Sequence, residues 1–149
     1  MTVNVFFRTT PSPSIKKLSP LLKKAALAAL SGVKKTGEIG LIIVADSEIE
    51  RLNRTFLGHT GVTDVIAFNH PEPIFAPPGE TAPFGDIYIC LPQARRQAAK
   101  MGHGLETELL ILAVHGALHL SGMDDATRAL RNKMNKKTVS LINKLVTSG

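Results

Sequence analysis

A chain of 149 residues, 44% of them hydrophobic, 20% charged and only 5% aromatic, has the material for one packed core and is neither disordered nor disulfide-stapled. Cys90 is the only cysteine; this excludes an intramolecular disulfide or a Cys-based zinc cluster, leaves His and carboxylate as metal ligands, and predicts a reducing cytoplasm. The N-terminal residues lack a basic segment followed by a long apolar run, and no stretch reaches the ~18 apolar residues of a membrane span, so neither a secretion signal nor membrane insertion is expected.

The net charge is +6, and its distribution is uneven. Residues 1–37 hold seven basic residues and residues 126–149 hold six, with no acid in either segment. Residues 38–125 hold all twelve acids against five basic residues. If the two ends meet in space, they create a positive field suited to a polyanion such as RNA. The same charges also suit solvated helix faces that only aid solubility.

In chain order, Val3–Phe7 reads as a strand, and the Leu21–Leu30 run, approached through Pro11, Pro13 and Pro20 and closed by Gly32, reads as a helix. Ile39–Ala45 is a continuous apolar run, the pattern of a strand covered on both faces. Ser47 and Glu50 have capping-box spacing ahead of a helix with Ile49, Leu52, Asn53 and Phe56 on one side. Thr63–Phe68 reads as a third strand, residues 69–85 as a long proline-rich exposed loop, and Asp86–Leu91 as a fourth strand. Pro92 opens the next helix, which Gly102 and Gly104 break. Leu105–Leu120 follows as a helix, and beyond Gly122 a last helix places Leu130, Met134, Leu141 and Leu145 on one stripe. The order predicts one small α/β or α+β domain over residues 1–149.

The segment H-G-A-L-H-L-S-G-M-D-D, residues 115–125, carries the sharpest chemical signal. On a helix, His115 and His119 project from one face, about 5–6 Å apart at Cβ, and can share an ion. Gly122 can turn the chain through a left-handed conformation and bring Asp124 or Asp125 back toward it. Two imidazoles and a carboxylate with an open fourth position would make a hydrolytic zinc site. Half-buried histidines and an aspartate that caps the last helix would leave the same pattern. Gly116 stands where a zinc protease carries its general-base Glu, which disfavours peptidase chemistry.

The segment resembles the H-G-x-L-H-L-x-G-x-D-H signature of the YbeY family, bacterial single-strand-directed endoribonucleases that act in ribosomal RNA maturation. Leu52-Asn53, then Thr63-Asp64-Val65-Ile66-Ala67-Phe68, is similar to that family's L-N and T-D-V-L-S-F. Phe84-Gly85-Asp86-Ile87 is similar to its L-G-D-I, and Gln97-Ala98 and Glu108-Leu109 fit the spacing up to the His helix. The resemblance spans residues ~39–125 in order. It implies a four-stranded mixed sheet with about five helices and a central His helix. It further implies metal-dependent RNA hydrolysis with His115, His119 and Asp125 as catalytic metal ligands, and zinc or another transition metal as the ion. Single-stranded ribosomal RNA becomes the expected partner, with ribosomal proteins beside it, and water and the RNA 2′-OH both stand as candidate nucleophiles.

Three positions depart from the family pattern. Its third histidine falls on Asp125, its arginine after L-N on Leu57, and its serine before the strand-ending Phe on Ala67. Arg54 or His59 would have to supply the missing cation, and a non-catalytic RNA-binding assembly factor is the alternative reading. Asp86 either lines the substrate cleft or fixes the start of its strand. Asp64 reads as structural, His70 and His103 as exposed loop residues, and Cys90 as a core side chain.

Overall fold

A computed structural model describes residues 1–71 and 81–147. Strands β1 (Thr2–Phe7), β2 (Glu38–Val44), β3 (Val65–Asn69) and β4 (Pro83–Cys90) form one mixed sheet in the order β1-β2-β4-β3. β1, β2 and β4 are parallel, and β3 pairs antiparallel with β4 at the edge. The helices are α1 (Pro13–Lys16), α2 (Ser19–Ala29), α3 (Asp46–Leu52), α4 (Leu91–Met101), α5 (Leu105–Leu120) and α6 (Arg128–Thr147), with a π-helical turn at Asn53–Leu57 that continues α3. Among the described residues no helix is long and apolar enough to cross a membrane.

The continuous apolar run of β2 is explained by cover on both faces. Ile39, Leu41 and Ile43 join the main core with α2 and α5, while Ile42 and Val44 join a smaller core with Ile49 and Leu52 of α3. α5 lies close against β4. A Cβ at Gly116 would fall 2.5 Å from Ile87 Cγ2, and one at Gly85 would fall 2.8 Å from Leu120. Two glycines, one on the helix and one on the strand, thus set the helix-to-sheet distance. α2 packs against both α5 and α6, so the basic N-terminal segment and the basic C-terminal helix do meet.

Several boundaries differ from those expected. The Ser47/Glu50 capping box does not form: α3 starts at Asp46 after Ala45, Ser47 is already inside the first turn, and Asp46 and Glu48 complement the N-terminal helix dipole instead. Phe56 leaves the buried stripe and is 60% exposed, because the π turn adds a residue per turn and rotates the following side chains off the 3.6-residue repeat. β4 begins at Pro83, where a proline is tolerated as a first strand residue. Of the loop expected over 69–85, Asn69 belongs to β3, Pro83–Gly85 belong to β4, and residues 72–80 lie outside the described residues.

Gly116→Ala is expected to destabilise the fold by about 1–3 kcal/mol, because a β-branched core side chain must move and the ~1 kcal/mol gain in helix propensity does not offset this. Ile87→Ala also destabilises, and the double variant should cost less than the two single variants together. Urea unfolding of the four proteins checks this.

Candidate functional site

The helix α5 carries ten buried residues along its length, and His115 and His119 leave its buried side half-covered. The chain ends α5 at Leu120 and turns at Gly122 with φ +103°, in the left-handed region expected there. The turn returns Met123 and Asp125 to His119. His119 Nδ1 lies 3.2 Å from the Met123 carbonyl oxygen, and its Nε2 lies 3.5 Å from Asp125 Oδ2. Asp124 does something else: its carboxylate accepts from the Ala126 amide at 2.9 Å. Thr127 then accepts from the Leu130 amide at the start of α6. The two adjacent aspartates therefore have separate roles, one folding the turn and one facing the histidine.

His115 is held below the ordinary histidine pKa, first by burial and then by the neighbouring His119, against the opposing pull of Asp64, Glu108 and Asp125. It is a neutral imidazole near pH 7, the form that ligates metal. Among the described residues no three His, Cys, Asp or Glu side chains already converge on one point as a metal-holding group. The donor chemistry of His115, His119 and Asp125 nevertheless fits a two-histidine, one-carboxylate site. If His119 carries its proton on Nδ1, directed to a backbone carbonyl, the tautomer leaves Nε2 with a lone pair beside the carboxylate.

The remaining candidates are spread more widely. Leu57 is 48% exposed on the π turn, so it is not a core leucine, and Arg54 and His59 are exposed on the same turn and the loop behind it. Asn53 anchors that loop: its side-chain amide donates to the Gly61 carbonyl, and its own carbonyl accepts from the His59 amide. Asp86 alternates with Gly85 and Ile87, which face α5, so its side chain points to the opposite face of the sheet. There Asp86 Oδ2 lies 2.9 Å from His70 Nε2. Ala67 sits in β3, packed against the main core. Cys90 is buried, and burial pushes its thiol up to about 12, so it behaves as a core side chain.

A polar network beside His115 was not foreseen. Glu108 is buried on α5 and receives Gln97 Nε2 at 3.3 Å and His103 Nε2 at 2.8 Å. The same Gln97 amide reaches Asp64 Oδ2 at 3.2 Å, and Asp64 Oδ1 accepts from the Val65 amide at 2.8 Å. Asp64 thus ties β3 to α4. His103, expected to be exposed, has a side chain only 27% exposed because it pairs with Glu108. His70 likewise has a partner in Asp86. The sequence signal for the network was an acid on the apolar side of α5, for which a buried partner is required. Asp64, Gln97, Glu108 and His115 all border one cleft between α4, α5 and α6.

Comparison with known proteins places this geometry in context. A family model described as Endoribonuclease YbeY matches residues 9–146. A protein of Elusimicrobium minutum named Endoribonuclease YbeY is 44% identical over 147 residues, covering 97% of this chain and 100% of its own length. One of Moorella thermoacetica with the same name is 46% identical over 109 residues, covering 70% of each. A solution structure of a Thermotoga maritima protein aligns with a TM-score of 0.60 at 23% identity, over 98% of this chain and 93% of that one, and shows the shared fold.

Because His115 is depressed in the folded state, the unfolded chain binds more protons between the folded pKa and the ordinary value near 6.5. Its contribution therefore makes stability rise with pH through that window, level off above it, and decline on acidification. Urea midpoints of chelator-treated protein at pH 7, 6 and 5 should fall more steeply for the wild type than for His115→Gln.

Proposed function

Because this chain belongs to the endoribonuclease YbeY family, hydrolases of RNA phosphodiester bonds that act in ribosomal RNA maturation, we propose that His115, His119 and Asp125 form its metal-dependent catalytic site. The observation that carries this reading is the placement of His119 between the Met123 carbonyl and the Asp125 carboxylate, one helical turn from a desolvated His115. Zinc is the ion that this donor set suits, and when bound it would lower the pKa of a coordinated water toward ~7 and so supply hydroxide for hydrolysis. Asp125 stands where the family has histidine and brings a formal negative charge to the set. Asp124, committed to the turn, is left out of it.

The other roles follow from charge. The basic residues of α2 and α6, two helices that pack against each other, hold the RNA backbone. Arg54 and His59 are the basic residues closest in sequence to Leu57, where the family carries arginine, and a substrate contact by Asp86 would be made on the sheet face away from α5. The working form is one hydrolase domain over residues 1–149, in the cytoplasm, with single-stranded ribosomal RNA as substrate and ribosomal proteins as further partners.

Elemental measurement on purified protein is expected to find about one transition-metal ion per chain. His115→Ala/His119→Ala should lose it, and Asp125→Asn should release it to a chelator faster than Asp124→Asn. Retained metal in the double-histidine variant, or cleavage of single-stranded RNA that survives chelation, overturns the assignment.

A second expectation concerns Leu57, whose 48% exposure lets an arginine at this position keep its guanidinium in water. Leu57→Arg should leave the melting temperature unchanged. A cationic donor on the phosphate is worth up to about 3 kcal/mol, so RNA cleavage should rise by as much as roughly a hundredfold. Unchanged cleavage in a stable Leu57→Arg protein would show that charge at this position does not limit the rate.

A further inference from the structure

The cleft beside His115 is larger than a metal ion requires and has a different character. Its volume is about 640 Å³, within the range of small-molecule sites. Its walls come from Met101 of α4, Ile111, Leu112 and His115 of α5, and Val139 and Ile142 of α6. Met101 is 70% exposed and Val139 is 58% exposed, so two large apolar side chains on different helices stand in water at its mouth. Neither contributes to the core, and their exposure costs hydration free energy that an apolar occupant would recover.

The surroundings select the occupant. Lys100 of α4 borders the cleft, and the exposed Arg131 stands one helical turn before Asn135, the first residue with which α6 lines it. The carboxylates at its inner end, Asp64 and Glu108, are already engaged by Gln97, His103 and the Val65 amide. No buried side-chain polar atom among the described residues lacks a hydrogen-bond partner. An apolar slot with cations at its rim fits a flat ring with apolar faces attached to a polyanion. Neutral apolar peptides would gain nothing from the cations, and free anions nothing from the slot.

We infer that the cleft between α4, α5 and α6 takes one unpaired nucleobase of the RNA strand, with Lys100 and Arg131 on the adjoining phosphates. This rests on the reading of His115 as part of the catalytic site, since His115 lines both places and so joins the held base to the reacting phosphate. Only a base outside a duplex can enter, so the cleft would contribute to single-strand selectivity.

The test is binding in excess chelator, read by fluorescence anisotropy, so that binding is measured without turnover. A short single-stranded RNA is compared with an abasic ribose-phosphate strand of equal length and charge, which cancels the phosphate contacts. The variant Met101→Ser/Val139→Asn strips both exposed apolar side chains and should keep the wild-type melting temperature. It is expected to bind the base-bearing strand about tenfold more weakly than the wild type, the loss of one base contact, and the abasic strand equally well. A folded variant that keeps the wild-type preference for the base-bearing strand overturns the inference, as does a wild type that binds both strands alike. These outcomes are separate from the fate of the metal assignment, which falls on metal content and chelator-resistant cleavage.

Discussion

The position of the candidate site depends on one close approach, that of α5 to β4. With a side chain at Gly116 or Gly85 the helix would have to stand off from the sheet, and His115 and His119, which flank the contact in sequence, would move with it. Interiors at crystal-like density do not absorb such shifts smoothly. The glycine at the second position of the H-G-x-L-H segment is therefore a packing residue, while the histidines beside it are the proposed metal ligands. The same substitution that removes a protease's glutamate also brings the helix down onto the sheet.

A second constraint is how a buried acid is tolerated next to that helix. Glu108 would be costly on the apolar side of α5 if it stood alone. Gln97 donates to both Glu108 and Asp64, and His103 closes the remaining oxygen. The chain of contacts continues through Gln93 and Arg96 to Asp46, whose carboxyl is held below the usual carboxylate range chiefly by the Arg96 guanidinium. α4 thus ties the start of α3, the start of β3 and α5 to one another by polar bonds, where apolar packing alone would permit sliding. The inner wall of the cleft is therefore cross-linked by hydrogen bonds, while Met101 and Val139 at its mouth are exposed.

Much of the architecture was legible because it rests on local rules. The bounds of α5 are those read from its glycine boundary and apolar spacing, and β2 was identified as doubly covered from an unbroken apolar run. Family motifs supplied the four-stranded mixed sheet, which periodicity alone could not, because strand order is a non-local property. The misread places lie where side chains bond outside the helix: α3 starts before the Ser47/Glu50 pair, at Asp46, which pairs with Arg96, and leaves α geometry at Asn53, which donates to the Gly61 carbonyl.

For the site, the sequence by itself determined the candidate ligand types and their local spacing, since His115 and His119 are one helical turn apart on any α-helix and Gly122 permits the turn that follows. Local geometry left Asp124 and Asp125 equivalent as candidates for the return, and the family register favoured Asp125. Tertiary structure separated them, because adjacent residues in a turn point in different directions and only one carboxylate comes back to His119. It also decided that Leu57 is exposed, that Asp86 faces away from α5, and that His103 is tied to a buried glutamate. Each of these depends on which surface a neighbouring element covers, and that cover is a long-range result of packing that no local pattern encodes.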